Sequence, residues 1–218
     1  MPDTPNLRLR VERTPGYHFV RALVVTLWWL MFRPSVSGAE NIPSTGAVLI
    51  APVHRSNIDF ALIVFMTKRK TFFMAKDSLW KVSILGRLIS TLGAFPVKRG
   101  TADRDSLGFA QSVLEQHQAL VLFPEGTRQE GLVVQDLHDG AMFIASRTGA
   151  PVVPVGIGHT ERAMPRGSKF PRPVKVRIVI GTPIQPPNAE GRVSRSQIAA
   201  ATEELRVALD AVYRESMI

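Results

Sequence analysis

Short apolar runs, each closed by glycine, proline or a charge, recur along this chain with room for one helix between most of them. They cover residues 47–53, 71–75, 94–97, 119–124, 151–157 and 174–180. Runs this short and this continuous predict strands buried on both faces. Between them the apolar spacing turns helical, over 59–67, 78–92, 106–117 and 140–148. An amphipathic stretch over 196–213 follows the turn-rich segment 181–191. Strand alternating with helix predicts an α/β domain whose largely parallel sheet is flanked by helices.

The first apolar run has a different character. Residues 22–32 read Ala-Leu-Val-Val-Thr-Leu-Trp-Trp-Leu-Met-Phe between Arg21 and Arg33, after a polar start with no signal-peptide pattern. Eleven residues of helix reach about 16 Å, roughly half of a hydrocarbon core, so the run does not span a bilayer. Trp28 and Trp29 with flanking arginines fit a helix lying in a membrane interface; the plainer alternative is a helix packed on the domain. The expected division is a membrane-contact segment over 1–33 and the α/β domain over 34–218.

Composition narrows the chemistry. The 218 residues suffice for one domain with a real core, and the absence of cysteine excludes disulfides and a thiol nucleophile. Net charge is 27 − 18 = +9, which favours a polyanionic partner, nucleic acid or an anionic membrane surface. Nucleic-acid binding calls for aromatic residues interleaved with basic ones, and here 2 Tyr and 3 Trp show no such pattern. The expected surface is therefore lipid. Lys68-Arg69-Lys70 reads as a solvated basic run.

Three blocks carry candidate chemistry. His54-Arg55-Ser56-Asn57-Ile58-Asp59 places an imidazole and a carboxylate five positions apart. Both on a regular helix would point about 140° apart, so they meet only with His54 on a loop and Asp59 in a first helical turn, Ser56 or Asn57 acting as N-cap. A histidine oriented by a carboxylate is a ready general base. Phe123-Pro124-Glu125-Gly126-Thr127-Arg128 offers amide N–H groups in a glycine turn, a hydroxyl and a guanidinium, parts suited to a phosphate or an oxyanion. Gly93-Ala94-Phe95-Pro96-Val97-Lys98-Arg99 ends a strand in two cations, Arg99 being the better bidentate partner. Lys76, just past the second strand, is a weaker candidate. Taken singly, these blocks read as a satisfied loop histidine, a strand-ending turn with a surface ion pair, and a solvated basic loop. Together they gain weight, because each follows the carboxyl end of a predicted strand, where open α/β sheets bind ligands. No phosphate-binding P-loop, dinucleotide fingerprint or serine elbow is present. His18, His117, His138 and His159 are scattered, and no metal is expected.

The chain resembles the glycerolipid acyltransferases with a His-x4-Asp motif, particularly those acting on 1-acyl-glycerol-3-phosphate. The resemblance covers about 38–184 and rests on four blocks in order: His54-x4-Asp59, Gly93-x-Phe95 running to Arg99, the string 123–128, and Val153-Pro154-Val155. It implies His54 as base, Asp59 as its orienter, and Lys98, Arg99, Glu125, Gly126, Thr127 and Arg128 as acceptor-binding residues. It further implies a lysophospholipid acceptor, an acyl-CoA or acyl carrier protein donor, no other cofactor, and a place at the cytoplasmic face of the cell membrane. Glycerol-3-phosphate or another lysophospholipid is the alternative acceptor; a non-catalytic basic membrane- or nucleic-acid-binding protein is the alternative class. Two positions depart from the family pattern. Val53 stands where Asn commonly precedes the histidine, and Leu137-His138-Asp139-Gly140-Ala141 stands where Phe-Lys often precedes Gly-Ala.

Overall fold

A computed structural model of the chain describes residues 14–97, 104–187 and 193–218. Helix α1 (Pro15–Phe32) starts seven residues before the apolar run, because Thr14 and Pro15 supply a helix start: the Thr14 hydroxyl accepts from Tyr17 N–H at 3.2 Å. Among the described residues no helix is long and apolar enough to cross a membrane. One side of α1 is fastened to the domain. Tyr17 and Phe32 are buried, and Arg21 donates to the carbonyls of Val64 and Thr67 at 2.8 and 3.1 Å. The other side leaves Phe19, Leu23, Leu27 and Leu30 exposed, a stripe at helical spacing.

The remaining elements are β1 (Ser35–Ser37), β2 (Val48–Pro52), α2 (Asp59–Met66), β3 (Thr71–Lys76), α3 (Ser83–Thr91), β4 (Ala94–Val97), α4 (Arg104–Glu115), β5 (Ala119–Val121), α5 (Gly140–Thr148), β6 (Val152–Gly158), α6 (Thr160–Ala163), β7 (Arg177–Ile180) and α7 (Arg195–Ser216). The described strands form one seven-stranded sheet in the order β1-β7-β6-β2-β5-β3-β4. Five run parallel, from β6 to β4, while β7 lies antiparallel to β6 and β1 parallel to β7. The sheet is thus largely parallel, with a reversed edge. Strand β7 returns after only the short α6 and a loop, and antiparallel pairing needs no crossover helix.

Strand β2 shows why the sequence reads as an unbroken apolar run. Val48 and Ile50 enter the core on one face of the sheet, and Leu49 and Ala51 enter the core on the other. Helix α7 lies close on β6, where Gly156 and Gly158 admit its backbone; a Cβ at either glycine would collide with a carbonyl of Val212 or Ser216.

Two local expectations are corrected. The predicted helix 78–92 divides into a 3-10 turn, Asp77–Lys81, and α3. Trp80 folds back over Gly86 and donates to Ser90 Oγ at 2.9 Å, so tertiary packing overrides the helical period. The basic run 68–70 is not simply solvated. Arg69 gathers the carbonyls of Pro43, Gly46 and His117 at 2.7, 2.6 and 3.3 Å, and buried Lys70 lies over the rings of Tyr17 and Phe72.

Candidate active site

Strands β2 and β5 are neighbours, so their carboxyl ends bring residues 54 and 125 together although 71 positions separate them. His54 lies on the loop after β2 and Asp59 opens α2. His54 Nδ1 is 3.0 Å from Asp59 Oδ2. The same oxygen accepts from the backbone N–H groups of Arg55 and Ser56 at 2.6 and 2.7 Å. The expected N-cap, Ser56 or Asn57, is corrected: Ile58 holds that position and makes no capping bond, because Asp59 folds its own carboxylate back over the loop. Ser56 Oγ instead donates to Met164 O at 2.9 Å. With Nδ1–H given to Asp59, Nε2 is left as the acceptor nitrogen of His54, the arrangement a general base needs. The imidazole is steadied by the Phe123 ring, with centroids 4.3 Å apart.

Glu125 is placed by the structure in the interior, not facing a ligand. It is 1% exposed, and both its oxygens lie 2.8 Å from Arg55 Nη1. One of them also accepts His54 N–H at 2.8 Å. A carboxylate and a guanidinium buried together must satisfy each other, which turns two apparent surface charges into a strut beneath the histidine. Burial alone weakens the hold of Arg55 on its proton, but Glu125 outweighs it, and the net direction is upward. Arg55 also lies 4.6 Å from the centroid of the Tyr213 ring in α7. Burial raises the Tyr213 phenol above its ordinary range, against the opposing pull of Arg55. Sequence reasoning missed both Arg55 and Tyr213. The signal for Arg55 was its place inside the His-x4-Asp block, between two residues that converge.

The glycine turn after Glu125 differs from the expected anion cradle. Two of its N–H groups already have partners, Gly126 donating to Phe123 O at 3.0 Å and Thr127 to Glu125 O at 2.7 Å, and just beyond it Gln129 donates to His54 O at 2.8 Å. The side chains remain. Thr127 is exposed, and among the described residues the Arg128 guanidinium has no hydrogen-bond partner.

These elements border a cleft of about 250 Å³ lined by His54, Met74, Lys76, Phe123, Gly126 and His138, among others. Its lining is mostly apolar, with Lys76 and the imidazoles of His54 and His138 as the polar side chains. Lys98 and Arg99 lie outside the described residues. His138, one of the scattered histidines of the sequence, is exposed at this rim. Among the described residues no cluster of three potential ligands could hold a metal ion. A wider open groove of about 1240 Å³ between α5 and the start of α7 includes neither His54 nor Asp59 in its lining.

A family model described as Acyltransferase matches residues 33–158, and the chain belongs to that family. It is similar to the chloroplastic 1-acyl-sn-glycerol-3-phosphate acyltransferase of Arabidopsis thaliana, 29% identical over 200 residues, covering 88% of this chain and 55% of that protein. It is similar also to the 1-acyl-sn-glycerol-3-phosphate acyltransferase of Bacillus subtilis, 28% identical over 171 residues, covering 78% of this chain and 83% of that one. The chain spans about half the length of its chloroplast relatives, 55% and 51%. Among solved structures it is similar to the 1-acyl-sn-glycerophosphate acyltransferase PlsC of Thermotoga maritima, with a TM-score of 0.72 and 26% identity, covering 96% of this chain and 83% of the other.

Proposed function

We propose that this chain transfers a fatty acyl group from a thioester donor, acyl-CoA or acyl carrier protein, to the free hydroxyl of 1-acyl-glycerol-3-phosphate, forming phosphatidic acid. One observation carries the reading: the His54–Asp59 pair, 3.0 Å apart, whose imidazole lines a mostly apolar cleft together with Lys76, in a chain of the Acyltransferase family. The names borne by the relatives support the choice of acceptor.

In the proposed mechanism His54 Nε2 takes the proton of the acceptor hydroxyl as its oxygen attacks the thioester carbonyl. The tetrahedral intermediate collapses, the C–S bond breaks, and the leaving thiolate takes the proton back from the imidazolium. Asp59 holds the ring and stabilises its charge. Direct transfer needs no covalent intermediate, metal or cofactor beyond the donor. Lys76 and Arg128, with Lys98 and Arg99, supply positive charge for the acceptor phosphate; Thr127 adds a hydroxyl, and Glu125 acts from beneath through Arg55 and His54.

We further propose attachment at the cytoplasmic face of a membrane through α1 and α3. The support is the exposed stripe Phe19, Leu23, Leu27 and Leu30, together with Val82, Ile84 and Leu88 at α3, in a chain of net charge +9. Leu23→Glu with Leu27→Glu is expected to reduce sedimentation with anionic vesicles; unchanged binding sinks the attachment site.

The function itself is tested by incubating the full chain with labelled acyl-CoA and an acceptor panel, then separating the lipids. Phosphatidic acid from 1-acyl-glycerol-3-phosphate is expected. Preference for glycerol-3-phosphate or another lysophospholipid replaces the acceptor, and no transfer to any acceptor removes the enzymatic reading.

A further inference from the structure

We propose that His138 is a substrate-binding residue for this reaction, donating a ring N–H to the phosphate of the acceptor. The inference rests on the functional reading above and gives a role to the histidine that stands where the family pattern often has a lysine. Two contacts place His138. Its backbone N–H donates to Pro124 O at 2.9 Å, which ties the segment before α5 to the loop after β5. Its ring lies against Gly126: a Cβ built on that glycine would sit 2.6 Å from His138 Cδ2 and 2.8 Å from Nε2. The missing side chain at Gly126 is the space the imidazole uses.

His138 thereby reaches the same cleft as His54 and Lys76. Among the described residues its ring has no hydrogen-bond partner, and the side chain is exposed. The charged and titratable side chains lining the cleft with it are Lys76 from β3 and His54 from the loop after β2. The neighbouring Asp139 turns its carboxylate to the Thr202 hydroxyl at 2.8 Å. The cleft rim around His138 is therefore a place for an anion.

The acceptor's own connectivity selects which anion. Its phosphate is only a few bonds from the hydroxyl that His54 must reach, so hydroxyl and phosphate have to share one cleft. The donor's nucleotide phosphates lie a whole pantetheine arm away from the reacting thioester. A phosphate held beside His54 is thus the acceptor's.

The test compares wild-type full chain with His138→Ala and His138→Lys. Besides steady-state constants it measures inhibition by an acyloxypropyl phosphate, which lacks the reacting hydroxyl, and by its phosphate-free methyl ether. For His138→Ala the acceptor KM and the Ki of the phosphate inhibitor should rise about tenfold, the order expected on losing one hydrogen bond to a charged group. Donor KM, the Ki of the methyl ether and the melting temperature should stay unchanged, and His138→Lys should restore most of the loss. Equal changes for both inhibitors, a change confined to donor KM, or no change in an active enzyme overturns the assignment. If the wild-type chain itself does not use the phosphorylated acceptor, the functional reading falls instead, so the two failures are distinguishable.

Discussion

The loop after β2 and the turn after β5 meet at one cleft, yet they are built in opposite ways. Around His54 the loop is held from inside the protein: Asp59 Oδ2 receives two amides and an imidazole, and Glu125 receives Arg55 and a third amide, while Asp59 Oδ1 and Arg55 Nε stay buried without a partner among the described residues. Past Glu125 the side chains reach outward, and Thr127, two residues on, is exposed. The string 123–128 looks like one unit in sequence but divides into a buried strut and an open rim. Rigidity is concentrated where a proton is to be moved, and freedom where a ligand is to arrive.

Substitutions can break this contrast, beginning with the largest effect. His54→Ala should lower kcat by about 10²–10⁴-fold in protein that still folds, with some loss of melting temperature because the ring packs on Phe123 and pairs with buried Asp59. Asp59→Asn should impair turnover severely too, through loss of ring orientation. Near-normal turnover in folded His54→Ala protein removes the mechanism.

Glu125→Ala should act on the fold before the chemistry. It strands the buried Arg55 charge, a loss of about 3–5 kcal/mol in chemical denaturation. Replacing Arg55 and Glu125 together by Met and Leu should cost clearly less stability than Glu125→Ala. If the single and double variants are equally unstable, the pair is not the strut described.

At the rim, Arg128→Lys keeps the charge but loses the planar fork, so acceptor KM should rise severalfold with donor KM and melting temperature unmoved. Equal effects on both substrates assign Arg128 elsewhere.

The smallest effect concerns the loop that leads toward the cleft, where Asp210 accepts Val134 N–H at 3.0 Å and pairs with Arg214. Burial alone pushes this carboxyl up, but the Val134 amide and Arg214 outweigh it and hold it below its ordinary 3.8. A depressed folded value contributes stability above the ordinary one and loses it as pH falls through the folded one. Asp210→Asn should therefore cost about 1 kcal/mol near neutrality, with the gap from wild type closing in strong acid. A gap that persists there refutes the assignment.

Much of this was legible in the chain. The six apolar runs all contain strands, and the five-residue spacing already required His54 on a loop with Asp59 in a first turn. What stayed hidden depends on partners distant in sequence. Nothing local tells that Arg55 and Glu125 are buried together rather than displayed, because each looks like a surface charge until β2 and β5 are known to be adjacent. The glycines on either side of Ile157 are explained only by the seat of α7. The position of His138 likewise depends on the void at Gly126. The reversal of β7 was invisible because apolar runs carry no direction.

The Arg55–Glu125 pair also bears on how the molecule comes together in time. His54 and Asp59 are 5 residues apart, whereas Arg55 and Glu125 are 70 apart, so the dyad forms by a short closure and its support by a long one. Distant closures form more slowly, since chain entropy is lost before the contact rewards it. A folding species with β2 and α2 in place but β5 still undocked would carry an unsatisfied guanidinium beneath a correctly paired histidine. Recovery of activity after dilution from denaturant should therefore trail the recovery of helical signal, keeping pace with the docking of β5.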